Sequence, residues 1–339
     1  MQIQKRVSLK NLNTFGIAAV ADSLVELTTL SDAVSYFQNE HDVSAKSFVL
    51  GGGSNVLFLD DFHGRVIQNQ LKGIAEINAD AEHVYVEVAA GENWHQFVLH
   101  CICNDWAGVE NLSLIPGNVG ASPMQNIGAY GVEVKDVIQE VKAIEMASGK
   151  TRSFGAPECE FGYRSSVFKT SLKDKFFITS VVFRLNKHPE FNTSYGAIAA
   201  ELATFDDPRP SLRNISQAVI NIRESKLPNP KVVGNAGSFF KNPIITKAQC
   251  ESLKVQFPAI PVYPVSDESV KVPAGWLIEQ CGWKGKNFGG YGVHKNHSLV
   301  LVNHGGASGR KIFELSENII DSVREKFHVR LEREVNVVS

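Results

Sequence analysis

The stretch Ile115–Gly131 constrains this chain more than any other. It holds four glycines and two prolines in 17 residues, so neither a helix nor a strand can run through it. Yet Ile115, Val119, Met124, Ile127 and the amides Asn118, Gln125 and Asn126 make it unlike a solvent loop. A long irregular segment of this kind either is a buried connector or wraps a ligand with main-chain groups. Its content favours the second, with a large and partly apolar ligand.

Periodic segments lie on both sides. Leu24–Leu30 reads as a strand, and Ser31–Glu40 as a helix capped by Ser31 with Ala33, Val34 and Phe37 on one face. Ser47–Leu50 is a short buried strand and His83–Ala90 alternates like a strand. Trp94–Trp106 carries helical spacing, and Val134–Glu145 and Phe176–Leu185 read as strands. Ile215–Ser225 is a helix that ends before Lys226-Leu227-Pro228, and the two prolines of Lys226–Lys231 mark a linker. Beyond it come a short helix at Trp276–Cys281, a strand at Ser298–Asn303, an amphipathic helix at Gly309–Phe327 and a final strand at Val329–Val338 that returns to an earlier sheet. Mixed elements with glycine-rich junctions indicate an α+β fold, not a regular doubly wound one.

The length of 339 residues fits two or three domains, and 43% hydrophobic with 21% charged residues is ordinary for a globular chain. A formal net charge of −2 gives no field suited to nucleic acid. Cys101, Cys103, Cys159, Cys250 and Cys281 are odd in number and form no C-x-x-C pair, which suits reduced thiols in the cytoplasm. The N-terminal residues lack the apolar core of a signal peptide, and no apolar run spans a bilayer. His294 and His297 lie three apart without a third ligand, so no metal site is expected. No heptad or apolar interface segment stands out, and the chain reads as a monomer.

Gly51-Gly52-Gly53-Ser54-Asn55 follows a strand. Without Cβ atoms its N–H groups can approach a phosphate closely, although a flexible turn would read the same. Gly162-Tyr163-Arg164 sets an aromatic ring beside a guanidinium suited to carboxylate or phosphate. Ser238, in Gly234-Asn235-Ala236-Gly237-Ser238-Phe239-Phe240-Lys241-Asn242-Pro243, has small neighbours that leave its hydroxyl reachable, but the G-x-S-x-G of a hydrolase is absent. In Leu331-Glu332-Arg333-Glu334-Val335, alternation puts Glu332 and Glu334 on one face.

Together and in this order, from Asn13-Thr14-Phe15-Gly16 to Leu331-Glu332-Arg333-Glu334-Val335, these segments resemble the UDP-N-acetylenolpyruvoylglucosamine reductase family over nearly the whole chain. The resemblance implies a two-part FAD-binding domain of the vanillyl-alcohol-oxidase type and a C-terminal α+β substrate domain. Residues 1–70, joined by 328–339, would form the first FAD subdomain, 71–225 the second, and 226–327 the substrate domain. It implies NADPH-dependent reduction of UDP-N-acetylglucosamine enolpyruvate to UDP-N-acetylmuramate through FAD, a step of peptidoglycan synthesis. Gly51, Gly52, Gly53, Ser54 and Asn55 would hold the FAD pyrophosphate. Pro116, Gly117, Gly120, Ser122, Pro123, Asn126, Ile127, Gly128 and Gly131 would pass along the flavin.

The family's catalytic trio maps onto Arg164, Ser238 and Glu334, and its substrate contacts onto Tyr163, Tyr195, Lys226, Asn242, Tyr263 and His297. Thr193-Ser194-Tyr195-Gly196 and Val262-Tyr263-Pro264 resemble the longer of the family's two forms. His297 stands where some relatives carry glutamine, and Arg333 where some carry proline.

Overall fold

The computed structural model describes all 339 residues, and the chain divides into two compact units. The first comprises Met1–Val7, Ala21–Gly52 and His63–Ser225; the second comprises Ser8–Val20, Gly53–Phe62 and Lys226–Ser339.

In the first unit a four-stranded sheet runs in the order Ile3–Ser8, Val20–Leu27, Phe62–Asn69, Ser47–Leu50, with the last two strands parallel. The helix Leu30–Asn39 turns Ala33, Tyr36 and Phe37 into a core shared with Val25, Leu27 and Ile67. Its cap is not Ser31. Thr29 accepts from the Asp32 N–H, so the helix begins one residue before Ser31 and the preceding strand ends at Leu27. A cap side chain must reach the N–H three residues on, and only Thr29 has the extended backbone for that here.

The second sheet of this unit is antiparallel: Thr151–Gly155, Ile138–Glu145, Phe176–Asn186, His83–Ala89, Ile74–Ala79. The expected strand at Val134 starts only at Ile138, because Val134–Asp136 forms a 3-10 turn closed by Glu133 and Asp136. The helix Trp94–Cys103 buries Trp94, Phe97, Val98, Cys101 and Ile102, and Phe97 meets Phe183 at 4.7 Å. Each such side chain contributes roughly 1.5–3 kcal/mol by leaving water. Trp94 keeps its polar atom satisfied by donating Nε1–H to the Leu112 carbonyl at 2.9 Å.

The second unit is built on a three-stranded antiparallel sheet, Gly234–Ser238, Val300–Asn303, Tyr291–Val293. The helix Gly309–Phe327 buries Ile312, Leu315, Ile319, Ile320, Val323 and Phe327, the stripe its sequence spacing predicts. The final strand is shorter than expected. Only Asn336–Val338 is regular, paired in parallel with Val56–Phe58, while Arg333 makes a single antiparallel bridge to Phe240. No helix is long and apolar enough to cross a membrane.

Candidate active site

In the first unit, Ile115–Gly131 is irregular apart from one 3-10 turn at Val119–Ala121 and a two-residue ladder at Gly128–Ala129. It is stitched to the turn before the Trp94 helix: Gly120 N–H donates to Ala90 O at 2.9 Å, Val119 N–H to Glu92 O at 2.8 Å and Trp94 N–H to Gly117 O at 3.0 Å. Gly51 and Gly52 approach this segment closely. A Cβ on Gly52 would stand 2.9 Å from Gly117 Cα and from Asn118 Oδ1. Ser122 is buried, and its hydroxyl has no hydrogen-bond partner.

Asn126 has no exposed surface and is fully committed. Its Nδ2 donates to Glu133 Oε2 and to Gly162 O, both at 3.0 Å, and its Oδ1 accepts from Lys135 N–H at 3.1 Å. The side chain therefore ties the Gly-Tyr-Arg turn to the segment. That turn is closed by Ser165 N–H to Gly162 O at 3.2 Å, and it holds Arg164 at a φ of 53°. A non-glycine residue in this region costs about 1–3 kcal/mol, a strain that clusters at functional sites. Arg164 Nη2 donates to Gly128 O at 2.9 Å, and its guanidinium lies 5.5 Å from the Tyr163 ring.

Three residues of this unit escaped the sequence reading. Asn111, 1% exposed, donates Nδ2 to the carbonyls of Tyr130 and Asn192 at 3.1 and 2.9 Å. His95 Nδ1 accepts from Leu114 N–H at 3.0 Å, and Arg223 Nε donates to Leu114 O at 3.2 Å. Leu114 thus sits clamped at a φ of 56°, immediately before the irregular segment. Burial lowers the pKa of the Arg223 guanidinium, and the Tyr130 hydroxyl bonded to it works the other way. Burial, then the Arg223 charge, lowers that of His95. The available signal was a pair of polar residues, Glu110 and Asn111, set inside the apolar run that leads to Ile115. Arg223 gave none, since it occupies an ordinary helix position.

In the second unit Gly53 has a φ of 63°, and a Cβ there would fall 1.9 Å from Leu12 O. Thr14 N–H donates to Gly53 O at 3.0 Å, Thr14 Oγ1 to Asn235 O at 2.6 Å, and Asn235 N–H to Thr14 O at 3.0 Å. Thr14 therefore joins the glycine loop to the strand that ends at Ser238. One residue on, Phe239 O accepts from Glu334 N–H at 2.8 Å, and Lys241 N–H donates to Glu332 O at 2.9 Å. This pairing brings Ser238 and Glu334 onto neighbouring stretches of chain.

At the C-terminus the side chains of Glu332 and Arg333 part. Glu332 is exposed and meets Lys241 Nζ at 3.2 Å, whereas Arg333 turns to the long helix. There its Nε donates to Ser316 Oγ at 2.8 Å, its fork binds the Glu317 carboxylate, and its plane lies 4.4 Å from the Phe313 ring. Between Val329 and Val335 the only strand-like pairing is the single bridge at Arg333.

The remaining expected contacts separate by unit. Tyr195 belongs to the first and is exposed, with its ring edge-on to Tyr130. Lys226, Asn242, Tyr263 and His297 belong to the second. Asn242 Oδ1 accepts from Ala274 N–H at 2.9 Å and so caps the helix Ala274–Gln280. His297 Nδ1 accepts from Leu299 N–H at 3.3 Å, while Lys226 and Tyr263 are exposed. Arg164 belongs to the first unit, Ser238 and Glu334 to the second.

Comparison with known proteins yields a consistent set of matches. Residues 229–338 match the family model of the C-terminal domain of UDP-N-acetylenolpyruvoylglucosamine reductase, and residues 22–155 match an FAD binding domain. The chain is 50% identical over 339 residues to UDP-N-acetylenolpyruvoylglucosamine reductase of Flavobacterium johnsoniae, with 100% of each chain covered. It is 45% identical to the protein of that name from Chromobacterium violaceum, with 98% of each covered. Among solved structures, UDP-N-acetylenolpyruvylglucosamine reductase from Thermus caldophilus shares the fold, with a TM-score of 0.69, 24% identity and 100% of both chains covered.

Proposed function

The chain belongs to the UDP-N-acetylenolpyruvoylglucosamine reductase family, and from that premise we propose how its residues share the work of the reaction. The protein is an FAD-dependent oxidoreductase that uses NADPH to reduce UDP-N-acetylglucosamine enolpyruvate to UDP-N-acetylmuramate in peptidoglycan synthesis. It works as a monomer in the cytoplasm.

The residues present fit FAD. An exposed Gly52 leaves main chain open where a Cβ would crowd Gly117 and Asn118, which suits a diphosphate. The buried, unpartnered Ser122 hydroxyl supplies a hydrogen-bonding group within the segment assigned to the flavin. Gly51, Gly52, Gly53, Ser54 and Asn55 hold the pyrophosphate. Pro116, Gly117, Gly120, Ser122, Pro123, Ile127, Gly128 and Gly131 line the ring system, and Asn126 braces that segment. When bound, FAD would supply the hydride transfer that links NADPH to the terminal carbon of the enolpyruvyl group.

The chain's own groups manage the charge and the proton. Negative charge develops on the carbon next to the carboxylate and spreads into it. Arg164, a guanidinium held by a strained turn, stabilises that charge. Ser238 gives its hydroxyl proton to that carbon, a transfer that depends on geometry as much as on acidity. Glu334 orients the donors around the carboxylate. Tyr163, Tyr195, Lys226, Asn242, Tyr263 and His297 bind the UDP-sugar, which the segment 226–327 receives.

The observation that supports this reading is the bond from Glu334 N–H to Phe239 O at 2.8 Å, which brings the main chain of Glu334 alongside the serine's own strand. Its test is NADPH oxidation by the purified protein with FAD. Consumption must require the enolpyruvyl sugar and yield UDP-N-acetylmuramate. Consumption of oxygen in place of the sugar would refute the assignment.

A further inference from the structure

Ser238 ends a strand whose register is broken. In the three-stranded sheet of the second unit Asn235 stands opposite Val302, and Ser238 stands opposite Val300. Ala236 and Gly237 together therefore face one residue, Leu301. That is a β-bulge, one extra residue on one strand. Residues opposed across a ladder share a face of the sheet, and a slip of one residue exchanges the faces. In an unbroken register Gly237 would oppose Val300, and Ser238 would turn to the other face opposite Leu299. The bulge thus puts Ser238 on the face of Val300 and Val302, which Asn235 shares.

Two neighbours make the bulge. Gly237 has a φ of 68°, the left-handed backbone that glycine takes without steric cost. Its N–H donates to Asn235 Oδ1 at 3.0 Å, so the asparagine closes an Asx turn over it. Asn235 is 4% exposed and is itself held on every side. Its Nδ2 donates to Pro228 O at 3.1 Å and to Val233 O at 2.8 Å. Its N–H donates to Thr14 O at 3.0 Å, and its carbonyl accepts from Thr14 Oγ1 at 2.6 Å. Past the bulge, Phe239 N–H returns to the neighbouring strand at Leu299 O, 2.8 Å away. Ser238 is bracketed by these two fixed points.

We propose that Asn235 is a positioning residue for Ser238: through the Gly237 N–H it locks the bulge that decides which face of the strand carries the serine. The inference rests on the proton donation assigned above to Ser238. Proton transfer demands close placement of donor and acceptor. The lock therefore matters when the sugar reoxidises the flavin, and not when NADPH bleaches it.

The test uses the full-length protein loaded with FAD and follows bleaching by NADPH and reoxidation by the enolpyruvyl sugar separately. Asn235→Ala removes the acceptor together with the amide donors. Asn235→Ser also removes the amide but leaves a hydroxyl that can accept from the N–H two residues on. Gly237→Ala has open space for its methyl, with no atom within 4 Å, and disfavours only the backbone conformation. Asn235→Ala and Gly237→Ala should slow reoxidation about tenfold, the weight of one lost hydrogen bond, and keep bleaching within about threefold of the parent. Asn235→Ser should recover most of the loss. A merely structural role gives no such recovery, because both variants lack the amide that holds Pro228 and Val233. On a Ser238→Ala background, Asn235→Ala should slow reoxidation no further, since the group it positions is gone. Parental reoxidation in Asn235→Ala, a serine variant as slow as the alanine one, or a full further loss on the Ser238→Ala background each overturns the proposal. Bleaching slowed as much as reoxidation overturns it too. If Asn235→Ala does not fold, Gly237→Ala carries the decision, and its reoxidation at the parental rate overturns the lock. Normal reoxidation in Ser238→Ala alone would instead sink the role of Ser238, so the two failures are distinguishable.

Discussion

The rings of Tyr130 and Tyr195 meet edge to face, with centroids 5.3 Å apart and planes at 86°. Tyr130 stands next to last in the irregular Ile115–Gly131 segment with its own φ at 50°, and Tyr195 precedes the helix Gly196–Leu202. The loop before Tyr195 is tied to the segment by Asn192, whose Nδ2 donates to Gly131 O at 3.1 Å. An aromatic pair of this geometry is worth about 0.5–1.5 kcal/mol beyond its area. Tyr195→Ala should raise KM for the UDP-sugar about tenfold and leave flavin reduction by NADPH nearly unchanged. Steady-state kinetics with separate half-reactions checks this; an unchanged KM removes Tyr195 from the substrate site.

Ser238 offers the most direct chemical test. Ser238→Ala should spare bleaching of the flavin by NADPH and slow its reoxidation by the sugar by about two orders of magnitude or more, a typical weight for a positioned proton donor. Stopped-flow absorbance of the flavin band separates the two steps. Near-normal reoxidation would exclude the serine as donor.

Gly53 should tolerate no side chain. At a φ of 63° and with Leu12 O only 1.9 Å from a built Cβ, Gly53→Ala strains the backbone and pushes against main chain. The expected cost is about 3 kcal/mol or more, together with loss of bound FAD. Urea unfolding and the flavin content of the purified protein measure both. A variant of parental stability would show that the loop can rearrange.

Glu110 carries the pH dependence. It is 4% exposed, and burial raises its carboxyl above the ordinary 4.5, partly opposed by N–H groups of Gly108, Glu110 and Val109. A carboxyl with a raised folded pKa holds its proton longer in the folded chain than in the unfolded one. Its support for folding is complete below 4.5 and is lost as pH climbs through the raised folded value. Relative to Glu110→Gln, the parent should therefore lose stability between the acid range and neutrality, by on the order of 1 kcal/mol. Urea midpoints of both proteins, followed upward from below the ordinary carboxyl value, give the difference. Parallel curves would mean that Glu110 titrates normally.

Local pattern was enough for much of the architecture. The stripe of Ile312, Leu315, Ile319, Ile320 and Val323 gave the Gly309–Phe327 helix with its ends, because one apolar face per 3.6 residues has only one solution. Boundaries fared worse where two neighbours could serve, as with Thr29 and Ser31 at one cap. At the C-terminus a strand was expected over Val329–Val338, but only Asn336–Val338 pairs regularly, while Arg333 finds partners on the long helix.

What the sequence determined by itself was the chemical inventory: the glycine loop Gly51–Asn55, the irregular Ile115–Gly131 segment, and Arg164, Ser238 and Glu334 in family order. These are readable because each rests on residue type, on a missing Cβ, a fixed charge or a small polar group. Only the tertiary structure decided that Glu334 pairs with Phe239, that Thr14 bridges Gly53 to Asn235, and that Asn55 holds a carbonyl 279 residues away. Each of those bonds ends on a main-chain carbonyl far away in the chain, even where a side chain donates. Every residue carries the same C=O, so the identity of the accepting residue leaves no trace of which donor it finds.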